Sequence, residues 1–333
     1  MSASFIIPAY NASKTIFSCL DSIYSLSLKK EEFEVIVIDD CSTDNTVAVV
    51  EEYTRSHANL VLLRQKENHR QGAARNRGIA KAKGKYIVFV DSDDETSQGV
   101  VEAIRLAEEK DLDMVAMRFA KIGDDGKTEG EKGLPFNPSK LFSGIEMQTE
   151  CPFWFTGPVA YVYRRSFLND VNYPFAEDVL FEDSDFVNVH LFQAKRMSYC
   201  DECGYVVHSN ANSTTHTISY KHLADYALLG TRMLNFYENL EDKASKYAKV
   251  ILEGGSFNIM KAFRKLVRLG SRSEVCAFYD RLDGYYDRKR LLCYSEPAYC
   301  WTRWTRFCLR YRNLAILIIG IAIPVVRINA KNQ

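Results

Sequence analysis

Four short apolar runs order the first hundred residues: Phe5–Ile7, Phe33–Ile38, Leu60–Leu63 and Tyr86–Val90. They lack a sustained apolar–polar alternation, so each reads as a strand covered on both faces of a parallel sheet. Between them the apolar positions fall on helical stripes. Ser13–Ser25 carries Ile16, Leu20 and Ile23, and a second helix running through Tyr53 turns Val47 and Val50 inward. Ser42 or Asp44 is placed to cap that second helix. Glu67–Gly72 reads as a polar loop, followed by a helix with Ala73, Ala74, Arg75 and Ile79. Strand and helix alternating at short spacing predict an α/β domain with a doubly wound, mostly parallel sheet.

The strands end on chemistry. The first stops at Pro8-Ala9-Tyr10-Asn11, the second at Asp39-Asp40 and the fourth at Asp91-Ser92-Asp93-Asp94. Open α/β sheets bind ligands outside the carboxyl ends of their strands. Several carboxylates that close together repel one another, and a divalent cation with phosphate oxygens relieves the repulsion. A solvated acidic turn is the alternative. No G-x-G-x-x-G follows the first strand and no G-x-x-x-x-G-K-S/T occurs, which argues against a dinucleotide dehydrogenase and a P-loop NTPase.

Further along, Leu112–Phe119 reads as a strand, Gly123–Lys127 as a turn, and Tyr161–Phe167 as a strand running into a helix. Phe153-Trp154-Phe155-Thr156-Gly157-Pro158 is an aromatic cluster suited to core packing or to stacking on a sugar. Phe181-Glu182-Asp183-Ser184-Asp185-Phe186 opens a helix through Phe192, where acids also complement the helix dipole. From Tyr220 the pattern is helical, with Leu223, Tyr226, Ala227, Leu234 and Phe236 apolar.

Charge separates the two parts. Lys+Arg and Asp+Glu both number 43, yet residues 261–333 hold 15 Lys/Arg against 5 Asp/Glu, net +10. On a helix over Tyr299–Arg312, Arg303, Arg306 and Arg310 share one face, with Trp301, Trp304, Cys308 and Tyr311 opposite. Leu314–Val326 is apolar apart from Gly320 and Pro324, too short to span a bilayer, which takes about 20 residues. A tail at about 299–327 lying on an anionic membrane surface fits this pattern; a helix packed against protein is the alternative. Nine cysteines, an odd number scattered singly, and a strand starting almost at the N-terminus lead us to expect reduced thiols in the cytosol. Cys200-x-x-Cys203 has no second pair at zinc spacing and reads as ordinary thiols.

Phe5-Ile6-Ile7-Pro8-Ala9-Tyr10-Asn11, Val37-Ile38-Asp39-Asp40-Cys41-Ser42-Thr43-Asp44, Gly72-Ala73-Ala74-Arg75-Asn76-Arg77-Gly78 and Asp91-Ser92-Asp93-Asp94, in that order, resemble the signature of family 2 glycosyltransferases. Cys41 stands where the family usually has Gly. The resemblance implies a GT-A fold over residues 1–217, a nucleotide-sugar donor, a Mn²⁺ or Mg²⁺ cofactor and inversion at the anomeric carbon; the region over 218–333, helical by its pattern, lies outside the signature. It implies that Pro8, Ala9 and Tyr10 line the base pocket, and that Asp40 accepts the uracil N3–H. Arg75 would lie near the nucleotide, Asp91 and Ser92 near the ribose or metal waters, and Asp93 on the metal. It further implies that the Glu182-Asp183 pair supplies the catalytic base, assigned to Asp183 with Glu182 as alternative. Tyr205–Ser209 and Asn212–Thr214 resemble the segment closing the catalytic domain, where His208 would meet the diphosphate or metal.

The expected enzyme transfers a hexosyl or N-acetylhexosaminyl unit from a UDP-sugar to a lipid-linked or growing polysaccharide acceptor at the inner membrane face. The rivals are a nucleotidyltransferase, which wants a Gly-rich loop after the first strand, and a non-catalytic membrane scaffold. Nucleic acid is not an expected partner, since the basic residues sit in the tail beside an apolar run.

Overall fold

Every residue of β1 (Ala3–Ala9) and β2 (Phe33–Asp39) is buried, so the uninterrupted apolar runs do lie inside a sheet clad on both faces. The computed structural model describes residues 1–123, 126–138, 140–151, 157–209, 219–243, 246–269, 271–285 and 303–319. The chain divides into two compact units, Met1–Ala211 and Asn212–Gln333.

In the first unit, β3 (Leu60–Arg64), β2, β1 and β4 (Tyr86–Phe89) lie parallel in that order. Beyond β4 the sheet becomes mixed: β8 (Tyr161–Arg164) runs antiparallel to β4 and to β6 (Met114–Ile122), and β9 (Met197–His208) runs parallel to β6. The short β5 (Glu95–Thr96) pairs antiparallel with β9, and β7 (Thr128–Lys132) with β6. The helices are α1 (Ile16–Tyr24), α2 (Thr46–Thr54), α3 (Arg70–Lys81), α4 (Gly99–Lys110), α5 (Gly144–Glu150), α6 (Arg165–Val171) and α7 (Asp183–Gln193).

Two local expectations need adjustment. The polar stretch Glu67–Gly72 is not all loop, because α3 begins at Arg70. Gly72 thus lies inside the first turn of α3, and a Cβ there would meet the Ala176 carbonyl oxygen at 2.1 Å. Its missing side chain lets α3 approach the strap leading to Glu182. Asp44, not Ser42, steadies the start of α2: its carboxylate accepts the Thr46 N–H at 3.0 Å and the Ser13 N–H at 3.1 Å. The loops after β1 and β2 are thereby tied together.

The second unit is helical: α8 (Tyr220–Glu238), α9 (Lys246–Arg264), α10 (Arg272–Tyr285), α11 (Arg303–Arg310) and a further helical stretch at 312–319. Its core gathers Leu223, Leu234, Phe263, Phe278, Cys308 and Ile319. The tail helices therefore contribute to this core. Cys308, Leu309, Ala315, Ile316 and Ile319 are buried, the Trp304 indole N–H donates to the Phe263 carbonyl at 3.3 Å, and the Tyr279 hydroxyl donates to the Cys308 carbonyl at 3.0 Å. Trp304 and Cys308 consequently do not form the free apolar face expected of them. Tyr311, Leu314, Leu317 and Ile318 remain exposed. Among the described residues no helix is long and apolar enough to cross a membrane. The aromatic run Phe153–Thr156, Asn212–Thr214 and Trp301 lie outside the described residues.

Candidate functional site

The carboxyl ends of β1, β2 and β4 bring the expected residues to one edge of the sheet. Ala9 pairs with Asp39, and the Asp40 N–H donates to the Ala9 carbonyl at 2.8 Å, which sets Pro8-Ala9-Tyr10 beside Asp40. Tyr10 is exposed and Asp40 is buried. Asp40 Oδ1 accepts from Gln65 Nε2 at 2.6 Å and from the His69 N–H at 2.9 Å. One oxygen of this acceptor is therefore already engaged, and Oδ2 is the one available to a base edge.

Arg75 is no surface charge. It is 2% exposed, lies over the Phe175 ring at 5.3 Å, and bridges two elements distant in sequence. Its Nη2 donates to Asp91 Oδ1 at 2.7 Å and its Nη1 to Glu182 Oε1 at 2.5 Å. Burial alone would lower its pKa; the Asp91 and Glu182 carboxylates more than offset that and raise it. The arginine thus ties the end of β4 to the head of α7.

Glu182 and Asp183 then differ in kind. Glu182 is buried, and burial raises its pKa against the pull of Arg75. Asp183 is partly exposed at its surface, with its carboxyl in a poorly solvated setting. Burial first, and the neighbouring Glu182 charge second, push it up to about 7. Phe181, just before them, holds φ at +64°, a conformation a bulky side chain rarely adopts. Two buried polar atoms here lack a hydrogen-bond partner among the described residues, Arg75 Nε and the Tyr163 hydroxyl. Unsatisfied groups of this sort call for a ligand or water.

The four residues of Asp91-Ser92-Asp93-Asp94 diverge. The turn is closed by the Asp94 N–H on the Asp91 carbonyl at 3.1 Å. Asp91 faces Arg75, while Ser92 and Asp93 stay partly exposed. Asp94 turns inward, accepting from the Tyr205 hydroxyl at 2.8 Å and the His208 N–H at 2.8 Å. Burial first, then the Asp91 charge, raise it to about 8. Tyr205 also accepts the Asp91 N–H at 3.1 Å, so it spans the turn. Sequence reasoning missed this lock; the third acid of the run, Asp94, was its only visible sign.

Among the described residues no three His, Cys, Asp or Glu side chains converge as a metal site. His208 Nε2, however, is buried without a hydrogen-bond partner, 3.4 Å from Glu95 Oε1, and its backbone is held to the acidic turn by Asp94. Mg²⁺ and Mn²⁺ sites commonly take one or two protein donors and complete their shell with substrate phosphates, and the Asp93 carboxylate and the His208 imidazole are each of a donor type such sites use. Cys200 and Cys203 are both free thiols on β9.

A sheet whose strand ends carry acids, closed by a buried arginine onto an acidic helix start, defines a GT-A type transferase fold. The chain belongs to glycosyl transferase family 2, whose description matches residues 4–171. It is 33% identical over 230 residues to the uncharacterized glycosyltransferase EpsJ of Bacillus subtilis, covering 67% of this chain and 65% of EpsJ. It is 27% identical over 309 residues to the poly(ribitol-phosphate) beta-N-acetylglucosaminyltransferase TarS of Staphylococcus aureus, covering 89% of this chain and 52% of TarS. The chain thus spans between half and two thirds of these relatives. The crystal structure of TarS 1–349 with UDP-GlcNAc superposes with a TM-score of 0.65 at 23% identity, over 99% of this chain and 92% of that one. The mannosyltransferase PcManGT of Pyrobaculum calidifontis, with GDP-Man and Mn²⁺, gives 0.51 at 17% identity over 96% and 86%.

Proposed function

We propose that this chain is an inverting glycosyltransferase that moves a sugar from a UDP-sugar to a hydroxyl of a growing cell-surface polysaccharide. The observation that carries the reading is the Arg75 bridge, which fixes Asp91 at the end of β4 and Glu182 at the head of α7, with Asp183 next in line. Pro8, Ala9, Tyr10 and Asp40 Oδ2 receive the uracil, and Asp91 and Ser92 face the ribose. The acceptor oxygen attacks the anomeric carbon as the bond to the diphosphate breaks, and the nucleotide leaves with the electron pair. Asp183 takes the acceptor's proton; a carboxyl near neutrality suits that task. Glu182, already paired with Arg75, suits it less. Asp93 and His208 would hold a Mn²⁺ or Mg²⁺ ion, which when bound would neutralise diphosphate charge. A UDP-GlcNAc donor and a poly(ribitol phosphate) acceptor are the first candidates, from the names of the TarS relatives.

We further propose that the enzyme works on the inner membrane surface. The support is the exposed stripe of Tyr311, Leu314, Leu317 and Ile318 beside the exposed Arg310. Replacing Leu314, Leu317 and Ile318 together by serine should release the full chain from anionic vesicles. Unchanged flotation removes this second claim alone.

The central test is competition among UDP, dTDP, CDP and GDP with and without Mn²⁺, followed by sugar transfer from the winning donor. Asp93→Asn should abolish the metal enhancement. Tighter GDP or CDP binding, or donor turnover indifferent to any hydroxyl acceptor, sinks the reading.

A further inference from the structure

The end of α9 carries a stripe of cations that no acid balances among the described residues. Phe257, Lys261, Arg264, Lys265 and Arg268 follow one another at helical spacing into the short 3-10 turn Leu266–Arg268. With Met260 they line a groove of about 230 Å³. No carboxylate pairs with Lys261, Arg264, Lys265 or Arg268 among the described residues, in contrast to Lys249 and Arg281 of the same unit, which each have one, and Arg312, which has two. The Lys261 ammonium is held 4.0 Å over the Tyr226 ring, so it is positioned rather than loose. Burial lowers the pKa of Lys261, and burial with the Lys261 and Arg268 charges lowers that of Lys265. Crowding four like charges destabilises the unit unless an anion lies among them.

We propose that this groove is a binding site for a phosphodiester-linked polymer, the acceptor chain itself. The inference rests on the reading above that the acceptor is a cell-surface polymer of that chemistry. The stripe runs over the last turn of α9 and the 3-10 turn after it, and presents four cations where a single phosphate needs fewer. It offers several cations to successive charges of one chain, with Phe257 and Met260 to meet the polyol between them. A lipid surface is the poorer occupant, because the exposed apolar stripe suited to a bilayer lies on residues 311–318 instead. A second foothold on the polymer raises the local concentration of its hydroxyls at the catalytic unit without any contact to the reacting atoms.

The test uses the full chain, poly(ribitol phosphate) as probe, dextran as neutral control and phosphatidylglycerol vesicles as the lipid arm. Arg264→Gln with Arg268→Gln should weaken polymer binding about tenfold at low salt and flatten the slope of log K against log salt by about 0.7 per cation removed. UDP binding should not change, and Lys261→Arg should retain polymer affinity. Equal affinity and slope in wild type and double variant overturn the proposal. So does a loss of vesicle binding with polymer binding intact, which would make the groove a lipid contact. Should wild type bind the polymer through these residues yet transfer no sugar to it, the groove stands and the enzymatic reading falls. Should transfer proceed while the variants bind the polymer normally, the reverse holds.

Discussion

Two arginine settings, one in each unit, stand in contrast. Arg75 is buried and locked between two carboxylates, while Arg264 and Arg268 lie exposed with no carboxylate paired to them among the described residues. In the first unit the charge is spent on geometry: it fixes one strand end against one helix start. In the second it is left available. A buried, satisfied charge builds a site, and an exposed, unsatisfied one recruits a partner. Each half of that contrast can be broken by experiment.

The largest effect should come from Asp183→Asn. It keeps shape but cannot take a proton, so turnover should fall about 10²–10⁴-fold while UDP affinity holds. Wild-type kcat/KM should rise with pH through about 7, because the base works only when deprotonated. The same carboxyl bears on stability with a definite sign. Its folded pKa is raised, so its contribution is fully favourable below the unfolded value near 3.9 and is lost as pH climbs through about 7. Asp183→Asn should accordingly gain stability relative to wild type at pH 8 and not at pH 4. A variant that is dead but equally stable at both would show the carboxyl to be well solvated. A variant that transfers sugar normally, with Glu182→Gln dead, would move the base one residue.

Next in size is a matched pair of arginine removals. Arg75→Met leaves Asp91 and Glu182 without their partner and should cost about 3–5 kcal/mol of stability in the first unit. Arg264→Gln removes a charge from a surface and should stay within about 0.5 kcal/mol. Urea unfolding followed by a probe in each unit separates them. Comparable costs would erase the distinction between a structural and a recruiting charge.

How much of this the sequence disclosed follows the same divide. The strands of the parallel half are legible because both faces are buried, so Phe5–Ile7 or Tyr86–Val90 needs no partner to be recognised. The acids at their ends are legible because each run stops on them. What was hidden is pairing at long range. Arg75 meets Glu182 across 107 residues, and the Tyr205 that turns Asp94 inward is 111 residues away. No local pattern says which of Asp91, Asp93 and Asp94 faces in. In the tail, the helical wheel separated Arg310 from Cys308 correctly in angle. It could not say whether the apolar side meets protein or lipid, and the structure divides it, with Ile316 and Ile319 inward and Leu314, Leu317 and Ile318 outward.

The smallest effect concerns Cys41, the departure from the family's usual Gly. It sits at φ +64°, in the left-handed region, directly after Asp40. A side chain there costs about 1–2 kcal/mol against glycine, and a long thiol contact of 3.6 Å to the Lys66 carbonyl offsets little of it. Glycine also loses more entropy on folding, by about 0.4–1 kcal/mol, so the two terms oppose each other. The strain is the larger, and Cys41→Gly should stabilise the first unit by roughly 0.5–1 kcal/mol. Cys41→Ala separates the causes, since alanine drops the thiol yet keeps the Cβ. It should bring no gain. If alanine stabilises as much as glycine, the thiol rather than the backbone is at fault. If neither does, the loop after β2 has relaxed around its cysteine, and the turn that carries Asp40 is less strained than its backbone angle implies.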